Sequence, residues 1–162
     1  MIRLAETHDL PALEEIYRAA RQYMKDTGNP TQWGDVRPTR EMLEQDILLR
    51  QLYVIEEDGA LYGAFALVFG KDPAYSCIED GAWLNDAPYA TIHRVASSGM
   101  RNGVFAQCMD FCKSKCANLR IDTHRDNHTM QHLIEKHGFV RCGIICVEDG
   151  TPRIAYQLPG KY

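Results

Sequence analysis

The turn from Ser97 to Val104 carries residue types that suit an anion-binding site. It reads Ser-Ser-Gly-Met-Arg-Asn-Gly-Val and joins an expected strand to an expected helix. The first backbone N–H groups of a helix lack partners within the helix, and the helix dipole makes that end positive. Gly99 and Gly103 permit close backbone approach, and Arg101 adds a charge. The pattern predicts a phosphate site, although taken alone it also fits an ordinary strand-to-helix connection.

Three side chains near this region could act as a base. His93 lies two residues before Val95, on the same face of a regular strand. His124 ends the next expected strand, and an imidazole can accept a proton near neutral pH. Glu79, in the segment Cys77–Trp83, could act directly or through a water molecule. For each of the three, a structural or solvated polar group is an equally good interpretation.

Three histidines recur at a spacing of four, which is one turn of a helix: His124, His128 and His132. A His-x-x-x-His pair on a helix can bind zinc. The glutamate that follows the first histidine in hydrolytic zinc helices is absent, and Thr129 stands in its place. The pattern therefore favours a solvated helix face, and we expect no metal.

Three of the six cysteines share one helical face: Cys108, Cys112 and Cys116. Cys142 and Cys146 share one face of an expected strand. This placement is typical of small core residues, so we predict reduced, mostly buried thiols rather than disulfides or a cluster site.

Hydrophobic periodicity and turn residues predict the elements that position these side chains. The expected strands are Ile2–Leu4, Leu52–Glu56, Ala60–Phe69, Ala90–Ser97, Asn118–Thr123, Arg141–Val147 and Arg153–Gln157. Asp-Gly turns join the second to the third strand and the sixth to the seventh. The expected helices start after Asp9 and after Thr39, and span Val104–Cys116 and Thr129–His137. A strand, a helix and a strand in succession predict parallel pairing of 90–97 with 118–123, within a mixed sheet that has helices on both faces.

Composition limits the class of protein. The chain has 162 residues, 45% of them hydrophobic and 25% charged, which predicts a single packed domain over 1–162. The net charge of -4, without a block of like charges, argues against nucleic acid as a partner. No long apolar run and no signal-peptide pattern is present, so we expect a cytoplasmic protein with no membrane partner.

Downstream of the turn, the sequence resembles the Gcn5-related N-acetyltransferase (GNAT) family. The strand Leu119–His124 is followed by Asp126–Phe139, in which Asn127 opens a helix that ends in the family's Gly-Phe signature. The resemblance covers the order of elements from Ile2 to Tyr156, with specific motif matches in Ile92–Phe139. It implies an α/β fold with a mostly antiparallel sheet of about seven strands and a splayed central parallel pair.

The resemblance also implies an acetyl-CoA site between the strands that end at Ser97 and His124. Val95 and Ala96 correspond to the strand backbone that pairs with the pantetheine arm, and Asn127 to a residue on the pantetheine side. The donors to the diphosphate correspond to the loop and the first helical turn: Arg101, Asn102, Gly103, Val104, Phe105 and Ala106.

The chain departs from the family pattern at three positions. Met100 replaces the Arg or Gln of the diphosphate motif, and Phe105 replaces its second small residue, for which Ala106 could compensate. Ile134 stands where the family often has a tyrosine that protonates the leaving thiolate. A thiol with a pKa of about 8.5 is a tolerable leaving anion, whereas an acceptor amine must first lose its proton. We therefore expect catalysis to depend on a base, with His93 as the first candidate.

The leading hypothesis is transfer of an acetyl group from acetyl-CoA to a primary amine in a ternary complex. The loop Asn29–Pro38, with Trp33, is a candidate lid over the acceptor site, or a loop whose tryptophan plugs the edge of the core. Two alternatives stay open, a non-catalytic acyl-CoA-binding module and a zinc hydrolase. The acidic balance suits a cationic acceptor such as a polyamine, a lysine or a protein N-terminus, and a homodimer is compatible with the resemblance.

Overall fold

Alternating hydrophobic runs and turn residues produce seven strands and four α-helices within residues 1–160, which a computed structural model describes. The strands are β1 (Ile2–Leu4), β2 (Leu52–Glu57), β3 (Ala60–Phe69), β4 (Ala90–Ser97), β5 (Leu119–Thr123), β6 (Val140–Cys146) and β7 (Pro152–Leu158). The helices are α1 (Leu10–Asp26), α2 (Arg40–Leu48), α3 (Val104–Lys115) and α4 (His128–Lys136). The bounds of the predicted elements are thus confirmed to within a few residues.

The strands form one sheet in the order β1-β2-β3-β4-β5-β7-β6. β4 and β5 are parallel, with Ala90 opposite Leu119 and Ile92 opposite Ile121. The pairs β1–β2, β2–β3, β5–β7 and β6–β7 are antiparallel. The predicted mixed, mostly antiparallel sheet with a central parallel pair is therefore confirmed.

Contacts between residues are concentrated within two compact units of the chain. The first unit comprises Met1–Leu67 and His93–Cys108. Its β2–β3 hairpin turns at Asp58 and Gly59, both of which have positive φ, as a tight Asp-Gly hairpin requires. Its core includes the fully buried Tyr17 and Phe65.

The sequence predicts Asp9 and Thr39 as the N-caps of the two helices of the first unit, and the structure confirms a side-chain cap for one of them. Thr39 caps α2, because its hydroxyl accepts a hydrogen bond from the Met42 N–H at 3.2 Å. Asp9 precedes α1 as predicted, but its carboxylate does not cap that helix. It accepts instead from the Arg3 guanidinium at 2.8 and 3.0 Å, and from the Glu6 N–H. The Asp9 carboxylate therefore forms an ion pair with Arg3 of β1 instead of capping α1.

The second unit comprises Val68–Ile92 and the described chain from Met109 onward. The guanidinium of Arg120 on β5 lies between the rings of Trp83 and Tyr89, 3.9 Å from each centroid. This stacking holds the irregular segment that precedes β4 against β5. Cation–π contacts of this kind satisfy a buried arginine that would otherwise be costly.

The six cysteines are all free thiols, as predicted, but their burial is uneven. Cys108, Cys112 and Cys142 are buried, Cys116 is partly buried, and Cys77 and Cys146 are exposed. The prediction that Cys142 and Cys146 share a face assumed a regular strand. A register shift between Arg141 and Gly143 breaks the alternation of β6. In the part of the chain that the structure describes, no helix is long and apolar enough to span a membrane.

Candidate active site

β4 bends at Arg94, directly before the residues predicted to contact pantetheine. Arg94 has a φ of 54°, a left-handed conformation that is rare for a residue with a side chain. Its backbone carbonyl accepts a hydrogen bond from the Tyr17 hydroxyl at 2.7 Å. Its guanidinium donates two hydrogen bonds to the Asp46 carboxylate, from Nε at 2.7 Å and from Nη2 at 2.9 Å. The surrounding structure therefore fixes a conformation that the strand alone would avoid.

The two partners of Arg94, Tyr17 and Asp46, are buried in the core. Burial raises the pKa of Tyr17 well above its ordinary value, so the hydroxyl stays a donor. Asp46 is buried, and a buried carboxylate needs a cation beside it. Sequence reasoning missed this set of residues. No local signal marks it, because Tyr17 and Asp46 are separated from Arg94 by 77 and 48 positions.

The bend also affects the prediction for His93. That prediction placed His93 and Val95 on one face of a regular strand, but Arg94 interrupts the alternation between them. His93 is half-buried within the first unit, Val95 is half-buried and Ala96 is buried. His93 is thus a partly accessible imidazole beside the bend, and its catalytic role stays a prediction.

The loop after β4 is shaped by its serines and glycines. The Ser97 and Ser98 hydroxyls accept hydrogen bonds from the N–H groups two residues on, at 3.1 and 3.2 Å. The Ser98 N–H donates to the Tyr62 carbonyl of β3 at 3.0 Å, which anchors the loop. Gly99 and Gly103 have φ of 83° and 82°, so the predicted need for glycine at both positions is met.

α3 begins at the predicted position, and its first turn explains one departure from the family motif. The Phe105 side chain is 5% exposed, so it packs into the core and does not cover the loop. Ala106 next to it is exposed. A side chain added at Gly63 of β3 would lie 2.9 Å from Val104, which shows how closely this helix start approaches the sheet. The first turn therefore keeps the geometry of a helix N-terminus that can receive an anion.

Arg101 is exposed on the loop and already bound to acidic residues of the β2–β3 hairpin. Its guanidinium lies 2.7 Å from the Glu57 carboxylate and 3.9 Å from Asp58, and 5.2 Å from the centroid of the Tyr62 ring. Ion pairs between exposed groups are weak, roughly 0–1 kcal/mol, so they are readily exchanged. Arg101 can therefore turn to a phosphate at little cost.

His124 in the second unit is arranged as a structural residue. It is buried, and its Nδ1 accepts a hydrogen bond from the Asp126 N–H at 3.0 Å. Burial first, and then the charge of Arg153, lower the pKa of His124 below its ordinary value. The neutral tautomer with its proton on Nε2 is therefore the stable form. Because the ring's one lone pair is occupied at Nδ1, this arrangement disfavours His124 as a base.

Asn127 opens α4, as predicted. Its side-chain oxygen accepts from the Met130 N–H at 3.0 Å, and its own N–H donates to the His124 carbonyl at 3.0 Å. Asn127 is thus the N-cap of α4, and the pantetheine contact that the resemblance implies for it stays a prediction. Ile134 is fully buried on the same helix, where the family often has its tyrosine. Within residues 1–160, no group of three His, Cys, Asp or Glu side chains is arranged to hold a metal ion.

Glu79, the third candidate base, lies at the outer edge of the sheet. Glu79 forms an isolated antiparallel bridge with Ile144 of β6, the last strand of the sheet. β6 and β7 lie between it and β5, so its backbone is about 14 Å from β5 at a spacing of about 4.8 Å per strand. This position disfavours Glu79 as a base beside β5, and its catalytic role stays a prediction. No local pattern indicates this bridge, because it joins residues that are far apart in the chain.

The loop Asn29–Pro38 and the bend of β4 both contact the side chain of Tyr17. Trp33 packs against Tyr17, with ring centroids 5.6 Å apart and planes tilted by 59°. Trp33 is half-buried, which agrees with the hypothesis that it plugs the edge of the core. Tyr17 also binds the Arg94 carbonyl, so a single side chain contacts both the loop and the bend.

Solved structures of other proteins share this fold. The chain is similar to a GNAT-family acetyltransferase from Streptococcus agalactiae, with 33% identity over 100% of this chain and 96% of the other, and a TM-score of 0.88. The chain belongs to the GNAT family. This GNAT chain is also similar to a putative acetyltransferase from Staphylococcus aureus Mu50, at 26% identity over 97% of both chains and a TM-score of 0.69.

A third solved structure shows that the fold accommodates another activity. GphF, a GNAT-like decarboxylase in complex with isobutyryl-CoA, has a TM-score of 0.67 and 16% identity over 98% of both chains, which shows a shared fold alone. Neither protein-family models nor curated proteins give a match to the sequence. Family membership supports acyl transfer from an acyl-CoA as the general activity of this GNAT chain.

Proposed function

We propose that this GNAT chain transfers an acetyl group from acetyl-CoA to a primary amine by direct attack in a ternary complex. The observation that carries the proposal is the loop Ser97–Gly103 at the start of α3. Its two glycines have positive φ, and its backbone is anchored to β3 through Ser98 and Tyr62. This combination presents helix N-terminal N–H groups in a fixed geometry, which suits the diphosphate of coenzyme A.

Arg101 supplies a mobile positive charge for the same ligand. We assign the backbone donors to Arg101, Asn102, Gly103, Val104, Phe105 and Ala106, and the pantetheine contacts to Val95, Ala96 and Asn127. The burial of the Phe105 ring supports this assignment, because a phenylalanine at this position leaves the loop surface uncovered. The bend at Arg94 supports it further, since it sets the direction of the Val95 and Ala96 backbone.

His93 is the base that we propose for the acceptor amine. Glu79 lies at the far edge of the sheet, and the lone pair of His124 is engaged by Asp126. His93 is half-buried on β4, one residue from the bend. A base is needed because an amine with a pKa of roughly 8–10 is mostly protonated at neutral pH. The released thiolate is a tolerable leaving group without an acid, which fits the burial of Ile134.

The first test measures binding and turnover separately. Calorimetry with acetyl-CoA is expected to show saturable binding, and release of free thiol is expected with at least one amine of a panel of polyamines, lysine and peptide N-termini. The acidic balance of the chain favours these cationic acceptors. Absence of acetyl-CoA binding would refute the proposal.

The second test concerns His93. His93→Ala is expected to lower kcat by 10²–10⁴-fold, the usual range for a lost general base, and to steepen the dependence of the rate on amine deprotonation. Acetyl-CoA affinity is expected to stay unchanged. His132→Ala, on the exposed face of α4, controls for the loss of an imidazole. An unaltered pH profile in His93→Ala would exclude His93 as the base.

A second candidate function is a non-catalytic acyl-CoA-binding module. Two observations favour it: Met100, in place of the motif's Arg or Gln, is 85% exposed and offers no charge, and Ile134 offers no acid. It predicts acetyl-CoA affinity without thiol release on any amine. The binding and turnover measurements above distinguish the two candidates.

A further inference from the structure

A short segment before β4 lies along the outer edge of β6. The Glu79 N–H donates to the Ile144 carbonyl and the Ile144 N–H donates to the Glu79 carbonyl, both at 2.8 Å. In an antiparallel pair, each step backward on one chain matches a step forward on the other. Cys77 and Cys146 each lie two residues from this bridge, on the side where its register would pair them.

Two glycines show how closely the backbones of these segments approach. A Cβ added at Gly81 would lie 1.8 Å from the Cys142 carbonyl oxygen. A Cβ added at Gly143 would lie 2.4 Å from the Glu79 carbonyl oxygen. Directly opposed residues of an antiparallel pair have Cα atoms about 4.5–5.5 Å apart, which falls within the range of about 4.4–6.8 Å that a disulfide spans.

Both thiols are open to solution. Cys77 and Cys146 are the exposed members of the six cysteines, whereas Cys108, Cys112 and Cys142 are buried. The two also line one cavity of about 250 Å³, together with Pro73, Ala74, Ser76, Glu79 and Ile144. A small thiol reagent can therefore reach both sulfur atoms from the same side.

We propose that Cys77 and Cys146 form a thiol–disulfide exchange site, which closes to an intramolecular disulfide on reaction with a low-molecular-weight disulfide. One protein thiolate attacks the small disulfide, breaks its S–S bond and releases a first small thiolate, which takes up a proton. The second protein thiolate then attacks the mixed disulfide and releases a second small thiol. The two cysteines lose two electrons and two protons in total, and the small disulfide gains them.

The closed disulfide would tie the segment Pro73–Gly81 to β6 and enclose nearly half of the chain. Such a bridge restricts the unfolded chain, so the oxidised protein is expected to melt roughly 5–15 °C higher than the reduced protein. This effect is independent of acetyl transfer, and it holds whether or not the chain acts on an amine.

The test exposes the purified full-length protein to a series of glutathione and glutathione disulfide ratios. Oxidation is expected to remove two titratable thiols, and a non-reduced digest is expected to contain one peptide pair joined through Cys77 and Cys146. Cys77→Ser and Cys146→Ser should each abolish the linked pair. Cys116→Ser, which alters a partly buried thiol on another element, should retain it.

Three results would overturn the proposal. They are glutathione adducts on both cysteines without a link between them, a link between two molecules on a non-reducing gel, and a loss of thiols that neither serine variant prevents. The digest of the unaltered protein decides the question even where a serine variant fails to fold.

Discussion

At the scale of single residues, the carboxylate of Asp46 is the charged partner of the residue at the bend of β4. It is buried, and its partner Arg94 adopts a conformation that costs roughly 1–3 kcal/mol outside a supporting structure. A buried ion pair contributes little in net terms, but removing one member leaves an uncompensated charge. The pair therefore matters most for the geometry that it fixes.

Asp46→Asn is expected to lower the free energy of unfolding by about 3–5 kcal/mol, because the guanidinium of Arg94 loses its charged partner. It should also weaken acetyl-CoA binding, because the β4 backbone after the bend is no longer held. Denaturant titration and calorimetry measure the two effects. Glu44→Gln on the same helix removes an exposed ion pair with Arg40 and should leave the free energy of unfolding almost unchanged. Equal effects of the two changes would contradict the role given to Asp46.

His124 makes stability depend on pH in a defined direction. Its pKa in the folded protein is lowered from 6.5, so the unfolded chain binds the proton more readily. The contribution of the neutral imidazole is fully present above pH 6.5 and is lost as the pH falls from there through the folded pKa. His124→Asn keeps an acceptor for the Asp126 N–H and cannot titrate.

Unfolding free energies measured from pH 7.5 down to 5 are therefore expected to fall less steeply for His124→Asn than for the unaltered chain. The same substitution at His132, an exposed residue of α4, controls for the removal of an imidazole. Parallel curves for His124→Asn and the unaltered protein would show that His124 is protonated alike in both states.

At the scale of elements, the glycine before α3 links backbone conformation to ligand binding. Gly103 has a φ of 82° and open space around a hypothetical Cβ. An alanine there would meet only the intrinsic cost of the left-handed conformation, about 1–2 kcal/mol. Gly28, after α1, has a φ of 84° and equally open surroundings, which makes it a matched control.

Gly103→Ala and Gly28→Ala are expected to destabilise the protein to a similar extent. Only Gly103→Ala should weaken acetyl-CoA binding, by about tenfold, which corresponds to 1.4 kcal/mol in binding free energy. The reason is that relief of the strain re-orients the first N–H groups of α3. A comparable loss of affinity in Gly28→Ala would indicate a general effect of stability.

The sequence predicted elements well where the signal was local. The Asp58-Gly59 turn fixed the first hairpin, and the strand–helix–strand pattern fixed the parallel pair of β4 and β5. The predictions failed where residues that are far apart in the chain contact one another. The carboxylate of Asp9 pairs with Arg3 of β1, and Glu79 adds an extra bridge to β6. The bend at Arg94 was equally invisible, because only the partners Tyr17 and Asp46 make it favourable.

At the scale of the whole molecule, ligand binding and folding are coupled. A ligand that binds only the folded state stabilises it in proportion to the logarithm of its concentration over Kd. Acetyl-CoA at 100 times its Kd is therefore expected to add about 2.7 kcal/mol to the free energy of unfolding. Thermal melts with acetyl-CoA, and with an equal concentration of a nucleotide that lacks pantetheine, measure this effect. No rise with acetyl-CoA would contradict specific binding.

The ring of Tyr17 touches Trp33 of the Asn29–Pro38 loop, and its hydroxyl holds the carbonyl at the bend of β4. Substitutions in these two places are therefore expected to be epistatic rather than additive. A designer who exchanges the loop to admit a different amine would disturb the strand that is proposed to carry the donor. Successful changes of acceptor should then arise together with compensating replacements around Tyr17, and libraries that vary both regions at once should yield more active variants than libraries that vary either alone.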